Sequence, residues 1–450
     1  MTETIEKKSK WGKVGKVSIY FLVILVCAYA GLAQYFGITS AANAYKRNRD
    51  AAKQAGLWFD AADARSFYEV SDQDNGAILL GDYKKAIHAF LQLPKDMPEK
   101  KYLAEFAKLE PYIPTLKRAA ARKKIQFRKV LKNPYDGIEQ ALNLSTTVSE
   151  FSKRAEFAVK QNERTLGHDL LVIAAQLSIH ITDEPDYIRT RIGAADAIEQ
   201  VIRILIPVYG HDPYWRSVFG ETMEILDHSY DLRSYIKFRH WMNIWSGQIV
   251  YGDTSMGTLQ DLGLKPEDSL PSKYLLGKFT PRYGTAVLSR LHEIYAAVWN
   301  GLPNNPDDTE GLVKSLTQMR VTSTYPDLSY ELAADADFDF ITLGRLMDVE
   351  SAQRNVLLQA IALIKPNAKP ENGLPLPGRY RADVRGGQIH LIREAKGWII
   401  YSVGRNGKDD HARPLPAIID DFIVHLTPKT IDPKESTRPK TWPLGTGGIG

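Results

Sequence analysis

The sequence predicts a mainly α-helical protein with an N-terminal transmembrane helix, an ectodomain built as an antiparallel helical-hairpin array, and a small C-terminal antiparallel β-subdomain. Three observations predict this fold class: one charge-free apolar run near the N-terminus, apolar residues at helical spacing through most of the chain, and strand-like runs only near the C-terminus. The 450 residues are 44% hydrophobic and 25% charged. This composition excludes a wholly disordered or multi-span membrane chain.

The formal charge of +5 is concentrated in the basic tail, residues 1–16, which holds five lysines and two glutamates. The remainder of the chain is close to neutral, so no basic domain is left to carry nucleic-acid binding. The single cysteine, Cys27, lies in the apolar run. One cysteine excludes intramolecular disulfides, cysteine-rich zinc sites and iron–sulfur clusters.

The strongest feature is the apolar segment, residues 17–38, which contains no charged side chain. As a helix it would be about 33 Å long, enough for a hydrocarbon core of about 30 Å. Because lysines precede it, we expect a single-pass protein of the inner membrane with a cytoplasmic N-terminus and a periplasmic or extracytoplasmic ectodomain. The alternative is a removed signal peptide, since small residues flank potential cleavage sites at Ala30 and Ala44.

Residues 41–350 have the pattern of an α-helical ectodomain. Apolar residues at i, i+3 and i+4 predict helices separated by Pro, Gly and Asp. The predicted helices include Leu116–Val130, which is basic, Leu166–Ile181, Asp186–Tyr209 broken at Pro207, two segments within Tyr214–Trp245, and Tyr283–Trp299. Helices of this length and spacing are typical of stacked antiparallel hairpins. Residues 252–272 read as a loop.

The sequence pattern changes at residue 351, and residues 351–426 predict a helix followed by β-strands. A helix over Ser351–Ile364 is followed by a proline-rich break, which predicts that the subsequent sheet packs as its own subdomain. Short runs of residues that favour β-strands, separated by turns suited to hairpins, predict four strands. Their ranges are Arg379–Val384, Gln388–Arg393, Trp398–Val403 and Ile418–Leu426. The Pro- and Gly-rich tail, residues 427–450, is expected to be disordered.

One cluster could line a catalytic pocket. In the segment Gly-His-Asp-Pro-Tyr-Trp, His211 could act as a base oriented by Asp212 or Glu221, with His240 nearby. The alternative is a turn between helices, because Asp212 before Pro213 is a common way to start a helix.

A second cluster could bind a cation. The turn after the last hairpin strand carries Asn406, Asp409 and Asp410, and a later strand begins with Asp420 and Asp421. Oxygen ligands of this kind suit calcium. The alternative is a plain solvated turn. No other cofactor is indicated.

The stretch Tyr-Ser-Val-Gly-Arg-Asn-Gly-Lys-Asp-Asp at 401–410, followed by Asp-Asp-Phe-Ile-Val at 420–424, resembles the C-terminal calcium loop of type II secretion major pseudopilins. It is also similar to the ending of a loose family of single-pass, membrane-anchored bacterial proteins with a helical middle. The resemblance implies a single membrane anchor followed by a helical middle, and a calcium-binding loop near the C-terminus. Tyr20 stands where a prepilin has glutamate, which argues against pilin-like assembly, and 411–414 lacks the family's glycines.

Together these features favour a non-enzymatic, membrane-anchored scaffold or interaction protein of the bacterial cell envelope, with a protein partner or self-association. One alternative is an envelope hydrolase with a pocket in the helical domain. Another is a secretion- or pilus-related accessory subunit.

Overall fold

The structure is a computed structural model, and it describes residues 23–29, 42–94, 96–127, 138–181, 188–228, 230–251, 281–302, 328–365, 368, 372–384, 387–394, 397–403, 409 and 422–426. The chain divides into two compact units. The first unit comprises Met1–Asp63, Ile236–Leu302 and Leu316–Asp339, and the second comprises Ala64–Tyr235, Pro303–Ser315 and Phe340–Gly450.

The protein is mainly helical, as the sequence predicts. The helices are α1 (residues 42–54), α2 (Ala61–Tyr68), α3 (Gly81–Leu91), α4 (Glu99–Phe106), α5 (Ile113–Ala120), α6 (Ile138–Lys160), α7 (Arg164–His180), α8 (Ile188–Tyr209), α9 (Pro213–Leu226), α10 (Leu232–Tyr251), α11 (Pro281–Gly301) and α12 (Leu328–Leu363). In the second unit α6 packs on α7 and α8, and α7 packs on α9. An ordered array of hairpins stays a prediction.

The small antiparallel sheet is confirmed, and it has three strands. They are β1 (His390–Glu394), β2 (Gly397–Ser402) and β3 (Phe422–Leu426), in the order β1-β2-β3. Ile400 of β2 and Val424 of β3 are paired in register, and both side chains are buried. They belong to the same apolar core as α5 to α9 and the end of α12. The sheet therefore shares its core with the helices of the second unit.

The prediction of a strand over Arg379–Val384 is wrong. Residues Gly378–Arg381 form a 3-10 helix, and Ala382 makes only an isolated bridge to Gln388. The physical reason lies in α12. Its Asn355 and Gln359 side chains bind the backbone carbonyls of this segment, which a strand would have used for pairing.

The basic helix predicted over Leu116–Val130 is shorter than expected, because α5 ends at Ala120. The chain then turns so that Lys124 forms a parallel bridge with Asn75, and Ile125 enters the core. Residues 128–130 lie outside the described part. In α8 the predicted break at Pro207 is absent: the proline lies inside the last turn, where it removes a single backbone donor.

The start of α9 follows the helix-start pattern at Asp212 and Pro213. The Asp212 carboxylate accepts a hydrogen bond from the backbone N–H of Tyr214, at 2.9 Å, and Pro213 occupies the first helical position.

Of the apolar segment, only residues 23–29 are described, and they are helical. Within the described residues, no helix has both the length and the apolarity needed to cross a bilayer. The predicted loop at 252–272 and the tail at 427–450 lie outside the described residues.

Candidate functional site

The second unit contains a pocket with a volume of about 110 Å³. Its walls come from the end of α9 and the segment after it, from one face of α12, and from the segment around Arg379 that precedes the sheet. We call it the Arg354 pocket, because the buried Arg354 of α12 is the charge around which its other ionised groups are arranged.

Arg354 is 5% exposed and contacts three carboxylates. It forms a close ion pair with Glu350, one turn earlier on α12, and its Nε lies 3.6 Å from an oxygen of Glu199 on α8. Its Nη1 lies 3.7 Å from an oxygen of Asp227. A buried guanidinium needs such partners, because an unpaired charge in the interior is strongly destabilising.

Asp227 joins this network to the wall of the pocket. Its Oδ2 accepts two hydrogen bonds, one from Arg379 at 2.7 Å and one from the hydroxyl of Tyr380 at 3.3 Å. Asp227 is therefore shared by Arg354 and Arg379, and each guanidinium is held by at least one carboxylate.

Glu199 is fully buried, and neither of its carboxylate oxygens makes a hydrogen bond within the described residues. Burial raises the pKa of Glu199 to about 8, although the neighbouring Arg354 charge acts in the opposite direction. Glu199 therefore carries a proton over much of the neutral pH range.

The floor of the pocket is rigidly held. The Asn355 amide donates to the backbone carbonyls of Arg379 and Ala382. Next to it, the buried Asp383 carboxylate accepts hydrogen bonds from the Ser402 hydroxyl and from the backbone N–H of Val403. These contacts fix α12, the segment before the sheet, and β2 in one arrangement.

Three buried polar atoms in the pocket walls make no hydrogen bond within the described residues. They are one oxygen of Glu350, the hydroxyl of Tyr230 and the Nε of Arg354. Burial raises the pKa of the Tyr230 hydroxyl, and the nearby charges of Arg191 and Arg354 act in the opposite direction. Buried polar atoms are usually satisfied. None of the three atoms is accessible to solvent, so each is enclosed by protein atoms behind the wall of the pocket.

The first unit contains a different polar pair. His240 of α10 and His292 of α11 are both fully buried, and the Nε2 of His240 lies 3.0 Å from the Nδ1 of His292. The Nδ1 of His240 lies 2.7 Å from the Trp58 carbonyl. Burial lowers the pKa of His240 to about 4. Burial, then the charges of His240 and Arg49, lower the pKa of His292 to about 3.

Of the catalytic candidates, Asp212 and Glu221 are engaged elsewhere. Asp212 caps α9 and pairs with Arg164 at 2.9 Å, while Glu221 contacts His168 at 3.1 Å. His211 is exposed and makes no side-chain hydrogen bond or ion pair within the described residues. His240 is bound to His292 and Trp58 as above. Each candidate therefore has its own surroundings, and no proton-transfer pair joins them within the described residues.

Of the calcium candidates, only Asp409 lies within the described residues. Asn406, Asp410, Asp420 and Asp421 lie outside them. The Asp409 carboxylate accepts a hydrogen bond from the Tyr401 hydroxyl at 3.0 Å. Among the described residues, no group of three or more His, Cys, Asp or Glu side chains is arranged to hold a metal ion.

Sequence pattern alone does not reveal the Arg354 pocket. A detectable signal is the pair Glu350 and Arg354, which lie one turn apart on α12 and are both buried. His292 precedes a glutamate, as in a zinc-protease helix, but the second histidine of that motif is missing. Its partner His240 is 52 residues away in the chain.

No family model, no curated protein and no solved structure matches this chain.

Proposed function

We propose that this chain is a membrane-anchored, non-enzymatic interaction protein of the bacterial cell envelope, with a cytoplasmic N-terminus and the folded region on the other side of the membrane. The observation that carries the proposal is the exposure of large apolar side chains on residues 23–29. Val23, Ile24, Leu25, Val26 and Tyr29 are each 51% to 76% exposed.

Such exposure is unusual for a folded chain. A contiguous exposed apolar patch generally marks a membrane or protein contact. Elsewhere in the described residues, large apolar side chains are exposed only singly, at Ile78, Ile204 and Ile392. The segment lies in a charge-free run preceded by lysines, which supports a bilayer as the covering medium and a cytoplasmic N-terminus.

An interaction role is supported by how the described buried charges are used. Arg354, Asp227 and Asp383 hold segments of the second unit together, and the two buried histidines bind each other and a backbone carbonyl. These groups fix a shape. A rigid, tethered shape is what a scaffold or binding protein requires.

Anchoring can be tested by placing charge in the apolar segment. The double substitution Leu25→Arg and Val26→Arg would cost about 2.5–3.5 kcal/mol per arginine at the centre of a membrane helix. We expect the variant to leave the membrane fraction under an alkaline wash, while wild type stays. Ser40→Arg, just beyond the segment, is the matched control and should remain in the membrane. Retention of the double variant would contradict the anchor.

Topology can be tested with engineered thiols in a Cys27→Ala background. Ser9→Cys lies in the basic tail, and Ser217→Cys is exposed on α9. An impermeant maleimide added to intact spheroplasts should label Ser217→Cys and spare Ser9→Cys. An N-terminal epitope on the purified chain separates the anchor from a signal peptide, since cleavage after Ala30 or Ala44 would remove the epitope.

The interaction role is tested by crosslinking in cells. Full-length protein carrying a photoreactive residue at exposed positions of the second unit, purified in mild detergent, should yield the same crosslinked partner, or the same self-crosslink, repeatedly. A chain that stays monomeric and recovers no reproducible partner would overturn the proposal.

A further inference from the structure

Helix α1, residues 42–54, carries a cluster of positive charge on the side that faces solvent. Four exposed cationic side chains are accompanied by one exposed carboxylate, so this side has a net charge of +3. We call it the α1 basic face, and it consists of Lys46, Arg47, Arg49, Asp50 and Lys53. Within the described residues, none of the four cations forms an ion pair with a carboxylate. By contrast, Lys108 and Lys117, which are exposed in the second unit, pair with carboxylates at 2.6 and 2.8 Å.

The opposite side of α1 is packed against the first unit. The Asn48 amide donates to the carbonyl and hydroxyl oxygens of Ser289 on α11, at 3.3 and 3.1 Å. Ala52 is fully buried, and the ring centroids of Tyr45 and His292 are 5.4 Å apart. Because a helix repeats every 3.6 residues, fixing this side leaves the basic face pointing outward.

Two of the four cations are held in place without losing their exposure. The charged groups of Arg49 and Lys53 lie 5.9 and 5.7 Å from the centre of the Phe59 ring, within the range of a cation–π contact. Lys46 and Arg47 make no such contact within the described residues. The face therefore combines two positioned cations with two that are free to adapt to a ligand.

The chain keeps this face close to the end of the apolar segment. Only residues 39–41 separate the segment, residues 17–38, from the start of α1. Whatever their conformation, the connection spans at most about 14 Å. The headgroup region of a bilayer is about 5–8 Å thick on each side of the hydrocarbon core. If the apolar segment spans a bilayer, α1 therefore begins at or close to the lipid headgroups.

We propose that the α1 basic face binds anionic lipid headgroups, so that α1 lies along the membrane surface. Lysine and arginine side chains bind phosphate oxygens, and clustered cations next to a membrane helix are attracted to anionic lipids. This inference rests on the proposed membrane anchor and deepens it by naming the lipid class that the folded region contacts. Such contact would restrict the orientation of the first unit on the bilayer.

The chain connection favours lipid over other anionic partners. Headgroups surround a tethered helix at high local concentration, so weak individual contacts add together without a further loss of translational freedom. A nucleic acid would require a larger basic surface than one helix face of net charge +3. An acidic protein surface is the remaining alternative, and the test below separates it from lipid.

The test distinguishes a helix that lies on the bilayer from one that points away from it. Asn43 and Gln54 are both exposed on α1 and lie about 16 Å apart along the helix axis. The full chain carries a fluorescent label at Asn43→Cys or Gln54→Cys, in a Cys27→Ala background. It is reconstituted into vesicles that contain a lipid with a nitroxide quencher on its headgroup. A helix on the surface brings both labels to the quencher, whereas a helix that points away brings only the first.

Two lipid compositions are compared: phosphatidylcholine alone, and an equal mixture of phosphatidylcholine and phosphatidylglycerol. We expect the label at position 54 to be quenched at least about twofold more in the mixture. The label at position 43 should be quenched in both. Salt at 1 M should remove most of the difference, because the Debye length is then about 3 Å.

Three variants test the assigned charges. Lys46→Gln combined with Arg47→Gln keeps the two ring contacts and should remove most of the dependence on anionic lipid. Asp50→Asn removes the one carboxylate of the face and should increase that dependence. Lys84→Gln combined with Lys85→Gln, both exposed on α3, is the matched control. It changes the net charge equally and should leave the quenching at position 54 as in wild type.

Failure of this inference can be separated from failure of the anchor. A label on the native Cys27 should be quenched by a nitroxide on the acyl chains when the apolar segment is in the bilayer. If Cys27 is quenched but position 54 is quenched equally in the two compositions, the assignment of lipid to the α1 basic face is overturned, and an acidic protein surface becomes the better candidate. The same holds if the Lys46 and Arg47 double variant behaves as wild type. Absence of quenching at Cys27 would overturn the anchor and this inference with it.

Discussion

His240 and His292 are hydrogen-bonded to each other at 3.0 Å, and the Trp58 carbonyl determines the direction of that bond. A carbonyl can only accept, so the Nδ1 of His240 carries a proton and its Nε2 accepts from the Nδ1–H of His292. The Nε2 of His292 is then a buried acceptor, and it has no hydrogen-bond partner among the described residues. The rings of Tyr45 and Phe59 pack against this imidazole.

Because of this histidine pair, the stability of the first unit should fall at acid pH. Both histidines have a depressed pKa when folded, so their contribution to stability is present above about pH 6.5 and is lost as the pH falls toward 4. Each histidine adds a slope of up to about 1.4 kcal/mol per pH unit in that range. Hydrogen exchange of α10 and α11 peptides, corrected for intrinsic rates, should show lower protection at pH 5 than at pH 7.

His292→Phe removes one of the two titrating groups, and we expect it to reduce the pH dependence by about half. His168→Gln changes a partly exposed histidine of the second unit and serves as the control. Equal protection of the wild-type first unit at pH 5 and pH 7 would contradict the interpretation.

Glu199 should make the free energy of unfolding of the second unit fall as the pH rises, which is the opposite of the effect of the two histidines on the first unit. Its pKa is raised to about 8, so the folded chain binds the extra proton, and the associated stability is present below about pH 4.5 and lost as the pH rises through 8. Glu199→Gln keeps the shape of the protonated acid. We expect the variant to lose this pH dependence, so that its free energy of unfolding exceeds that of wild type at pH 8.5 and approaches it at pH 5.

Urea denaturation at the two pH values measures this difference, which is on the order of a few kcal/mol at most. Glu224→Gln is the control, since its side chain is exposed. A Glu199→Gln variant with the same pH dependence as wild type would mean that Glu199 is ionised throughout.

The sequence predicted the helices well where the apolar period was long. The α7, α8 and α11 helices begin and end within two residues of the predicted positions. The prediction of secondary structure was wrong where side chains distant in sequence form hydrogen bonds to the backbone of a segment. The segment around Arg379 has strand-like residues, but amides on α12 hold its carbonyls, so tertiary contacts overrode local propensity.

The candidate sites were harder to predict, because their residues are far apart in the chain. Glu199 and Arg354 are 155 residues apart in the numbering and meet only in the folded core. By contrast, the Asp212 cap depends on neighbours within two residues. Local pattern therefore predicted the cap, while the buried pairs depend on packing that sequence spacing does not encode.

Gly76 lies where only a glycine fits. A Cβ at this position would stand 2.3 Å from the carbonyl oxygen of Ala119, a backbone atom of α5. We expect Gly76→Ala to destabilise the second unit by on the order of 1–3 kcal/mol. Gly81→Ala is the matched control, because a Cβ there would meet no neighbouring atom within 4 Å and its backbone is helical. It should be neutral or slightly stabilising. Denaturant midpoints of the two variants check both results.

Calcium at the C-terminal turn can be tested independently. If Asp409 and the neighbouring acidic residues bind calcium as the sequence predicts, millimolar calcium should raise the thermal unfolding midpoint above that in chelator, because a ligand of the folded state stabilises it. Asp409→Asn should reduce the shift. Magnesium at the same concentration is the control for ionic strength. Equal midpoints in calcium and chelator would contradict the calcium site and leave Asp409 with its protein contacts, the Tyr401 hydroxyl at 3.0 Å and the His390 imidazole at 4.0 Å.

Gln359 is the residue on which the segment before the sheet most depends. Its side chain is fully buried, donates to the carbonyls of Leu376 and Tyr380, and accepts from the N–H of Leu376. Gln359→Leu keeps the volume but leaves three backbone groups unsatisfied, so we expect a loss on the order of 3 kcal/mol. Limited proteolysis should cleave the variant within 372–384 faster than wild type. Gln353→Ala, partly exposed on the same helix, should behave as wild type. If both variants are cleaved at the wild-type rate, the amide contacts do not hold this segment.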